Sequence, residues 1–386
     1  MKLRKDEWSF VKIEEVCETT SGGTPLRNRF DFYNGDIPWI KSGELHSKYV
    51  YNSEESITEL GLKNSSAKLF PINSVLIAMY GVTAGTSSIL KTEAATNQAV
   101  CGILPFSDKL DYEFLYNVLT FKKTDIFKKR VGTYQLNISQ TIIRNTEIPL
   151  PPLEEQKQIA ALFQSIETAM KQVDGQEKNL KLLQKTLVNG LLNKKPVFGN
   201  LLNNNNCTPT KFAAIAECDK KYEEHKNDIR RFIGLENIEP ENFQIQGFGD
   251  IDKGTTFTKR FVKGDVLFGK RRAYLKKVAV ADFDGLCSGD ILVLRAKENQ
   301  ILPQLLPFYV SADAFIQHAV STSAGSLSPR TKWKDLAELQ FSIPDLETQK
   351  QIVGVLEDIL KNIEQLKQQQ TTLKNLKQKL LSEILG

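Results

Sequence analysis

Apolar residues recur in alternating steps of three and four over two long stretches of this chain. The first stripe runs Ile159, Leu162, Ile166, Ala169, Val173, Gln176, Leu180, Leu183, Leu187, Gly190. The second runs Ile352, Val355, Ile359, Asn362, Leu366, Gln369, Leu373, Leu376, Leu380, Glu383. Such alternation is a heptad seam. It predicts two helices of about 40 residues, each roughly 60 Å long at 1.5 Å per residue. Both begin just after a proline and carry acid in the first turn, as Leu153-Glu-Glu-Gln156 and Leu346-Glu-Thr-Gln349. The stretches are copies of one another. Across 150–192 and 343–385, at a constant offset of 193, 15 of 43 positions are identical. A helix that long needs a partner, and each copy carries a stripe that matches the other. The polar members Gln176 and Gln369 occupy the same repeat position. A lone polar core residue fixes register, and antiparallel pairing about a pseudo-dyad would bring these two glutamines together. The alternative is that each lies in a loose layer reached by solvent.

Outside the stripes, apolar residues alternate or cluster in short runs bounded by Gly, Asn and Asp, the pattern of strands and turns. These runs also repeat. Phe70-Pro-Ile-Asn-Ser-Val-Leu-Ile77 parallels Phe261-Val-Lys-Gly-Asp-Val-Leu-Phe268, and Ile37-Pro-Trp-Ile40 parallels Arg231-Phe-Ile233. Gly132-Thr133 precedes the first helix as Gly325-Ser326 precedes the second. Short helices are expected at Asp111–Leu119 and Leu305–Val310. The chain therefore reads as a tandem duplication of an α+β domain followed by a long helix. The divisions are domain 1 over 1–152, helix 1 over 153–193, a polar linker over 194–209, domain 2 over 210–345 and helix 2 over 346–386.

Composition narrows this little. Of 386 residues, 51 are basic and 46 acidic, a net charge of +5, which suits nucleic acid without requiring it. Five scattered cysteines with no Cys-x-x-Cys pair point to reduced thiols and a cytoplasmic setting. The charged N-terminus has no apolar signal core. The most apolar window, Val75–Tyr80, is too short to span a membrane.

The order of elements, together with "Ile-Pro-x-Pro-x-Leu-x-x-Gln-x-x-Ile" at the first helix start and its "Pro-x-Leu-x-x-Gln-x-x-Ile" part at the second, resembles the DNA-specificity subunit of type I restriction–modification enzymes. Thr19-Thr-Ser-Gly-Gly-Thr-Pro25, Ile37-Pro-Trp-Ile40 and Gly132…Asn137-Ile-Ser139 carry the same likeness in domain 1. Domain 2 departs from it: Phe212-Ala-Ala-Ile-Ala-Glu217 is followed by no Ser-Gly-Gly-Thr-Pro. The resemblance implies two pseudo-symmetric target-recognition domains joined by an antiparallel coiled coil, each reading one half of a split site in double-stranded DNA. It implies no catalysis and no cofactor in this chain. Two modification subunits would supply S-adenosylmethionine-dependent adenine methylation. Restriction subunits would supply ATP- and magnesium-dependent translocation and cleavage.

Two segments of each domain are candidates for DNA contact. In domain 2, Lys270, Arg271, Arg272, Tyr274, Lys276 and Lys277 place five cations and a tyrosine in eight residues. Arginine clamps guanine bidentately and lysine neutralises phosphate; a solvated charged hairpin is the alternative. Ser326, Ser328, Arg330 and Lys332 add hydroxyls and cations before the second helix, with Trp333 either beside them or in the core. In domain 1 the matching segments offer Tyr80, Thr83 and Thr86, then Tyr134, Gln135, Asn137 and Gln140. Hydroxyls, thymine-methyl contacts and amides suit adenine and thymine edges; ordinary turn chemistry is the alternative. The basic stretch Lys122, Lys123, Lys128, Lys129 and Arg130 suits phosphate contact or a solvated helix face, and Arg27 and Arg29 form a weaker candidate of the same kind.

Enzyme readings fail on their residues. Gly264-Asp-Val-Leu-Phe-Gly-Lys270 has phosphate-loop spacing, but Arg271 follows where Ser or Thr should hold magnesium, and strand formers fill its interior. No Asn-Pro-Pro-Tyr or Asp-Pro-Pro-Tyr occurs, and the three histidines (His46, His225, His318) are isolated from one another. The reading from a different class is a coiled-coil architectural DNA-binding protein without enzyme partners.

Overall fold

The computed structural model describes residues 3–130, 137–193, 198, 202, 206–219 and 229–386. The chain forms two compact units. One comprises residues 1–173 and 369–386, the other residues 174–368. Each unit therefore contains one globular domain, the first half of the helix that follows it, and the final turns of the other long helix. The expected linker over 194–209 lies mostly outside the described residues. Its last three residues belong to a strand, Cys207–Lys211, so the sheet of the second domain starts earlier than position 210.

In the first unit Ser9–Lys12 pairs antiparallel with Glu147–Leu150, joining the first strand of the domain to the strand that leads into the helix. Between them lie two sheets. One has the order Cys17–Ser21, Val100–Pro105, Val75–Ala78, Ser87–Leu90, Tyr49–Val50; the other runs Glu55–Ile57, Tyr33–Ile40, Ala94–Thr96, Leu69–Phe70. The second unit repeats the plan. Cys207–Lys211 pairs with Gln340–Pro344. Its sheets are Ala216–Cys218, Ile291–Ala296, Val266–Gly269, Val278–Val280, and Gly249–Asp250, Arg231–Ile233, Gly285–Cys287, Lys259–Phe261. The paralleled sequence runs thus occupy matching strands. The expected helix near 111–119 is longer, Tyr112–Lys128, with Asp111 accepting the Phe114 N–H at its N-cap. Its counterpart is broken into Leu306–Ser311 and Asp313–Ser321.

The two glycines of the first-domain motif have a packing cause. A Cβ on Gly22 would collide with Thr96, and one on Gly23 with the backbone at Ser66–Ala67. The Gly23 carbonyl accepts the indole N–H of Trp39 at 3.0 Å, and Trp39 is 1% exposed. The Ser-Gly-Gly-Thr-Pro and Ile-Pro-Trp-Ile motifs are therefore two sides of one buried contact.

Both long helices form, over Leu153–Asn193 and Leu346–Leu385. In the first unit Ile159, Phe163 and Ile166 share a core with Leu381, Ile384 and Leu385. Lys377 reaches Glu167 at 2.6 Å, so the two helix segments run antiparallel. In the second unit Leu187, Val188 and Leu191 pack in the core that holds Ile352, Val353 and Leu356.

The heptad period holds, but its phase needs correction. Ile159, Ile166, Val173, Leu187, Ile352 and Ile359 are buried, and Leu180, Leu366, Leu373 and Leu380 are half-buried. The alternate positions are one residue later than the stripe suggested: Phe163, Met170, Glu177, Gln184 and Leu191 turn inward, as do Leu356, Ile363, Gln370, Lys377 and Ile384. Leu162 is half-buried, whereas Gln176, Leu183, Val355, Gln369 and Leu376 are exposed. Steps of three then four and of four then three both return to the same face after seven residues. Periodicity alone cannot choose between them, because apolar side chains stand at both alternatives. Gln176 and Gln369 therefore lie in solvent-reached positions, and the amide that turns inward at this layer of the second helix is Gln370, 9% exposed.

The glutamine of the helix-start motif has a definite role, built twice. Gln156 Oε1 accepts the Asp111 N–H at 2.8 Å, and Nε2 donates to the Lys109 and Pro151 carbonyls, both at 2.9 Å. Gln349 does the same with the Leu302 N–H (2.8 Å) and the Gln300 (3.0 Å) and Pro344 (2.8 Å) carbonyls. Both glutamines are fully buried. Each amide ties the helix start to the loop before the domain's own helix. Gln156→Ala, which strands three backbone groups, should cost about 3 kcal/mol of stability in chemical denaturation, with Gln349→Ala similar.

A charge network joins the helix segments of the first unit. Lys48 contacts Glu113 at 2.9 Å and Glu167 at 2.7 Å, and Glu167 also receives Lys377. Burial would raise the Glu167 carboxyl, but Lys377 and Lys48 outweigh it and hold the group below its usual range. A depressed folded-state value means the stabilisation is present above the ordinary carboxylate pKa and is lost as pH falls through the depressed one. Glu167→Gln should cost about 1–3 kcal/mol near pH 7, allowing for partial exposure, and the cost should shrink in melts at pH 3.

Candidate nucleic-acid interface

In the second domain the strand Val266–Gly269 runs into the basic segment. The Gly269 N–H donates to the Lys277 carbonyl at 2.9 Å, closing that segment into a loop. Ala273 is buried and anchors it, while Arg272 and Lys276 take left-handed backbone, each with φ +53°. The second predicted segment folds as a tight hairpin, with Ala324 and Arg330 exchanging both backbone hydrogen bonds. The structure brings the two segments together. The Arg272 N–H donates to the Pro329 carbonyl at 2.8 Å, and the Thr331 N–H donates to the Lys270 carbonyl at 3.1 Å. Residues separated by some 60 positions in the chain therefore form one surface.

The cations on that surface divide into two groups. Arg330 meets Asp290 through Nε at 2.7 Å and Nη2 at 3.3 Å, and Arg271 meets the same carboxylate through Nη1 at 3.0 Å. Hydrogen bonds from Arg330 contribute most to holding the Asp290 carboxyl below its ordinary range, with Arg271 adding to the effect. Lys276 is paired with Asp313, and Lys277 donates to the Leu235 carbonyl at 2.6 Å. Lys270, Arg272 and Lys332 have no side-chain hydrogen bond or ion pair among the described residues, and Tyr274 is exposed. Ser326 and Ser328 lie on the hairpin beside Leu327, which is 89% exposed. Trp333 is half-buried and packs against the core, its ring 5.5 Å from that of Phe212. Asp290 was invisible as a site residue from sequence: a lone Asp after Gly289 reads as turn chemistry.

The first domain builds the same frame. The Met79 N–H donates to the Ala99 carbonyl and the Ile138 N–H donates to the Met79 carbonyl, at 2.8 and 2.9 Å. Gly81 (φ +77°) and Gly85 (φ +82°) shape the turn between Tyr80 and Thr86, with Val82 fully exposed at its tip. Several candidates have other work here. Thr83 donates to the Ser42 carbonyl at 3.1 Å, and Thr86 accepts from Lys123 at 2.8 Å. The Gln140 amide donates to the Thr19 carbonyl at 2.7 Å and accepts from Ser21, fastening the short helix Gln140–Arg144 to the edge strand Cys17–Ser21. Tyr80 is partly exposed. Asn137 Oδ1 is buried with no hydrogen-bond partner among the described residues. Tyr134 and Gln135 lie outside the described residues.

The weaker basic candidates are mostly paired. Arg27 stacks on Tyr33 and Trp39 and pairs with Glu55, and Arg29 pairs with Asp31. Lys122, Lys123 and Lys128 lie on the helix Tyr112–Lys128, where Lys128 faces Asp125. All five cysteines are unbridged. Burial pushes the Cys17, Cys101, Cys218 and Cys287 thiols up to about 12. The would-be phosphate loop is a buried strand from Val266 to Gly269. No helix among the described residues is long and apolar enough to cross a membrane.

Comparison with known proteins gives this architecture a family. The model of the type I restriction modification DNA specificity domain matches residues 5–181 and 251–375. The EcoR124I/EcoR124II specificity subunit of Escherichia coli is 27% identical over 192 residues, 48% of this chain and 47% of that one. The MjaIX specificity subunit of Methanocaldococcus jannaschii is 30% identical over 189 residues, 48% of this chain and 42% of that one. This chain thus spans about half the length of these relatives. The MjaVIII specificity subunit of the same archaeon is 22% identical over 98% of this chain and 92% of its own length. Among solved structures, the type I S subunit from M. genitalium shares the fold with a TM-score of 0.61 at 14% identity, covering 100% of this chain and 98% of that one. The HsdS subunit from Thermoanaerobacter tengcongensis shares it at 0.53 and 19%, covering 97% and 96%. With both helix-led halves matched by one family model, the chain belongs to the type I restriction–modification DNA specificity family.

Proposed function

We propose that this chain is the sequence-specific DNA-recognition subunit of a type I restriction–modification complex. Each globular domain reads one half of a split site, and the long helices set the spacer and dock two modification subunits. Catalysis resides in the partners: modification subunits with S-adenosylmethionine, and restriction subunits using ATP and magnesium. The complex acts in the cytoplasm, where unbridged, deeply buried thiols are stable. The observation that carries the reading is the twice-built frame. In each domain two loops distant in sequence meet through backbone hydrogen bonds, and among the described residues the side chains at the matched positions differ between the copies. A repeated scaffold with divergent loops suits two half-sites of different sequence.

Three roles are open to the exposed groups. Lys270, Arg272 and Lys332 suit phosphate, which positions a protein on DNA without reading it. Arg271 presents a guanidinium edge suited to guanine, beside Arg330 on the shared Asp290 carboxylate. Tyr80, which is partly exposed, and the neutral amide of half-buried Asn137 suit adenine and thymine edges.

Methylome sequencing of a methylation-free host that expresses this chain with its modification subunits should show one split motif. Methylation without a motif would sink the proposal. An architectural protein would bind with little preference and tolerate coil lengthening freely. Here, one heptad inserted at equivalent points of both helices should lengthen the spacer by roughly three base pairs, since seven residues add about 10 Å. Replacing Lys270 and Arg272 with alanine should weaken binding on all sequences alike. The log–log salt slope should become shallower by about 2. Unchanged binding would mark both as bystanders on a solvated loop.

A further inference from the structure

Backbone hydrogen bonds allow the two interfaces to be aligned residue by residue. Lys270 donates its N–H to the Asp290 carbonyl and accepts from the Thr331 N–H; Met79 does the same with Ala99 and Ile138. The residue after Lys270 is Arg271, and the residue after Met79 is Tyr80. The residue before Thr331 is Arg330, and the residue before Ile138 is Asn137. Asp290 stands where the first domain has Ala99. The same two backbone positions thus carry an Arg–Arg pair on a carboxylate in one domain and a Tyr–Asn pair beside an alanine in the other.

We infer that these two positions are the base-reading pair of each domain, that Asp290 is a positioning residue for Arg271 and Arg330, and that the half-site read by the second domain contains guanine. This inference rests on the DNA-recognition reading above.

The geometry at Asp290 is that of a clamp. Arg330 uses Nε and Nη2 on the two carboxylate oxygens, and Arg271 uses only Nη1. Asp290 is held from behind, its N–H bonded to Ser288 Oγ at 3.2 Å. The Arg271 and Arg330 side chains remain 41% and 46% exposed, against 18% for Asp290. One carboxylate between two guanidiniums leaves a positive surplus at the surface. Arg271 keeps its Nε/Nη2 edge unengaged by Asp290, and two parallel N–H groups on such an edge match N7 and O6 of guanine. Ion pairs this exposed add little to stability. Fixing long side chains before docking lowers the ordering cost of binding, which a base-reading role would use. The Tyr80 and Asn137 positions have no carboxylate to carry, because neutral side chains need no counter-charge.

The test is methylome sequencing of the complete methyltransferase complex carrying Asp290→Asn, Arg271→Lys, Arg330→Lys or Asp290→Glu. The wild-type motif should contain a G·C pair in one half-site. Asp290→Asn should reduce preference for that pair about tenfold while the other half-site and the melting temperature stay unchanged. Arg271→Lys and Arg330→Lys should do the same, because lysine keeps the charge but lacks the fork. Asp290→Glu, which retains the carboxylate, should restore part of the preference. The two lysine variants decide the matter should Asp290→Asn fold poorly. A wild-type motif lacking a G·C pair in the affected half-site would overturn the inference, as would an intact motif in all variants. So would equal weakening on every sequence, which would mark the arginines as phosphate contacts. Methylation with no motif even in the wild type would instead defeat the recognition reading itself.

Discussion

The contact on which the rest depends is the burial of each long helix's first turns in its own domain. Gln156 and Gln349 make it specific. Each buried amide satisfies one N–H and two carbonyls of the adjoining loop and helix start, groups that would otherwise be orphaned in an apolar interior. Once the helix start is fixed, its next turns present a stripe that the final turns of the other helix cover. Leu381, Ile384 and Leu385 complete the first unit's core in this way. In the second unit Leu187, Val188 and Leu191 take the corresponding place. A 40-residue helix with such a polar surface gains its stability from packing of that kind, not from propensity.

From this anchoring follows the arrangement of the interface. The strand before each long helix pairs with the first strand of its domain, and the short helices Gln140–Arg144 and Trp333–Ala337 precede it. Those short helices set where the second loop of each interface returns to the sheet. In both domains it returns to the same backbone position, Met79 or Lys270. The framework is thereby insensitive to the side chains displayed on it. Asp290 with its two arginines and Ala99 with Tyr80 and Asn137 are supported by the same hydrogen bonds. The scaffold belongs to the repeated parts, and the side chains displayed on it differ between the copies.

Much of this was legible in the sequence. The duplication, the heptad period, the α+β character and the pairing of Phe70–Ile77 with Phe261–Phe268 all follow from local pattern. Other features were not legible. The amide of Gln140 suits adenine as well as it suits a strand edge, and only its bond to the Thr19 carbonyl shows its occupation. The role of Asp290 depends on arginines 19 residues before it and 40 after it. The glycines of Ser-Gly-Gly-Thr-Pro suggest a turn, whereas their requirement is close approach to Thr96 and Ser66.

The sequence by itself determined that there are two long helices and that they are copies. These are matters of period, which local chain geometry converts directly into structure; the family likeness came from motifs. Tertiary structure decided which residue of each heptad turns inward: Phe163 and not Leu162, Gln370 and not Gln369. It also decided which cations of the two basic segments have no side-chain partner among the described residues, namely Lys270, Arg272 and Lys332. Both choices depend on what lies opposite. A seven-residue repeat admits two phases until a neighbour covers one face, and a cation is uncommitted only if folding brings it no carboxylate.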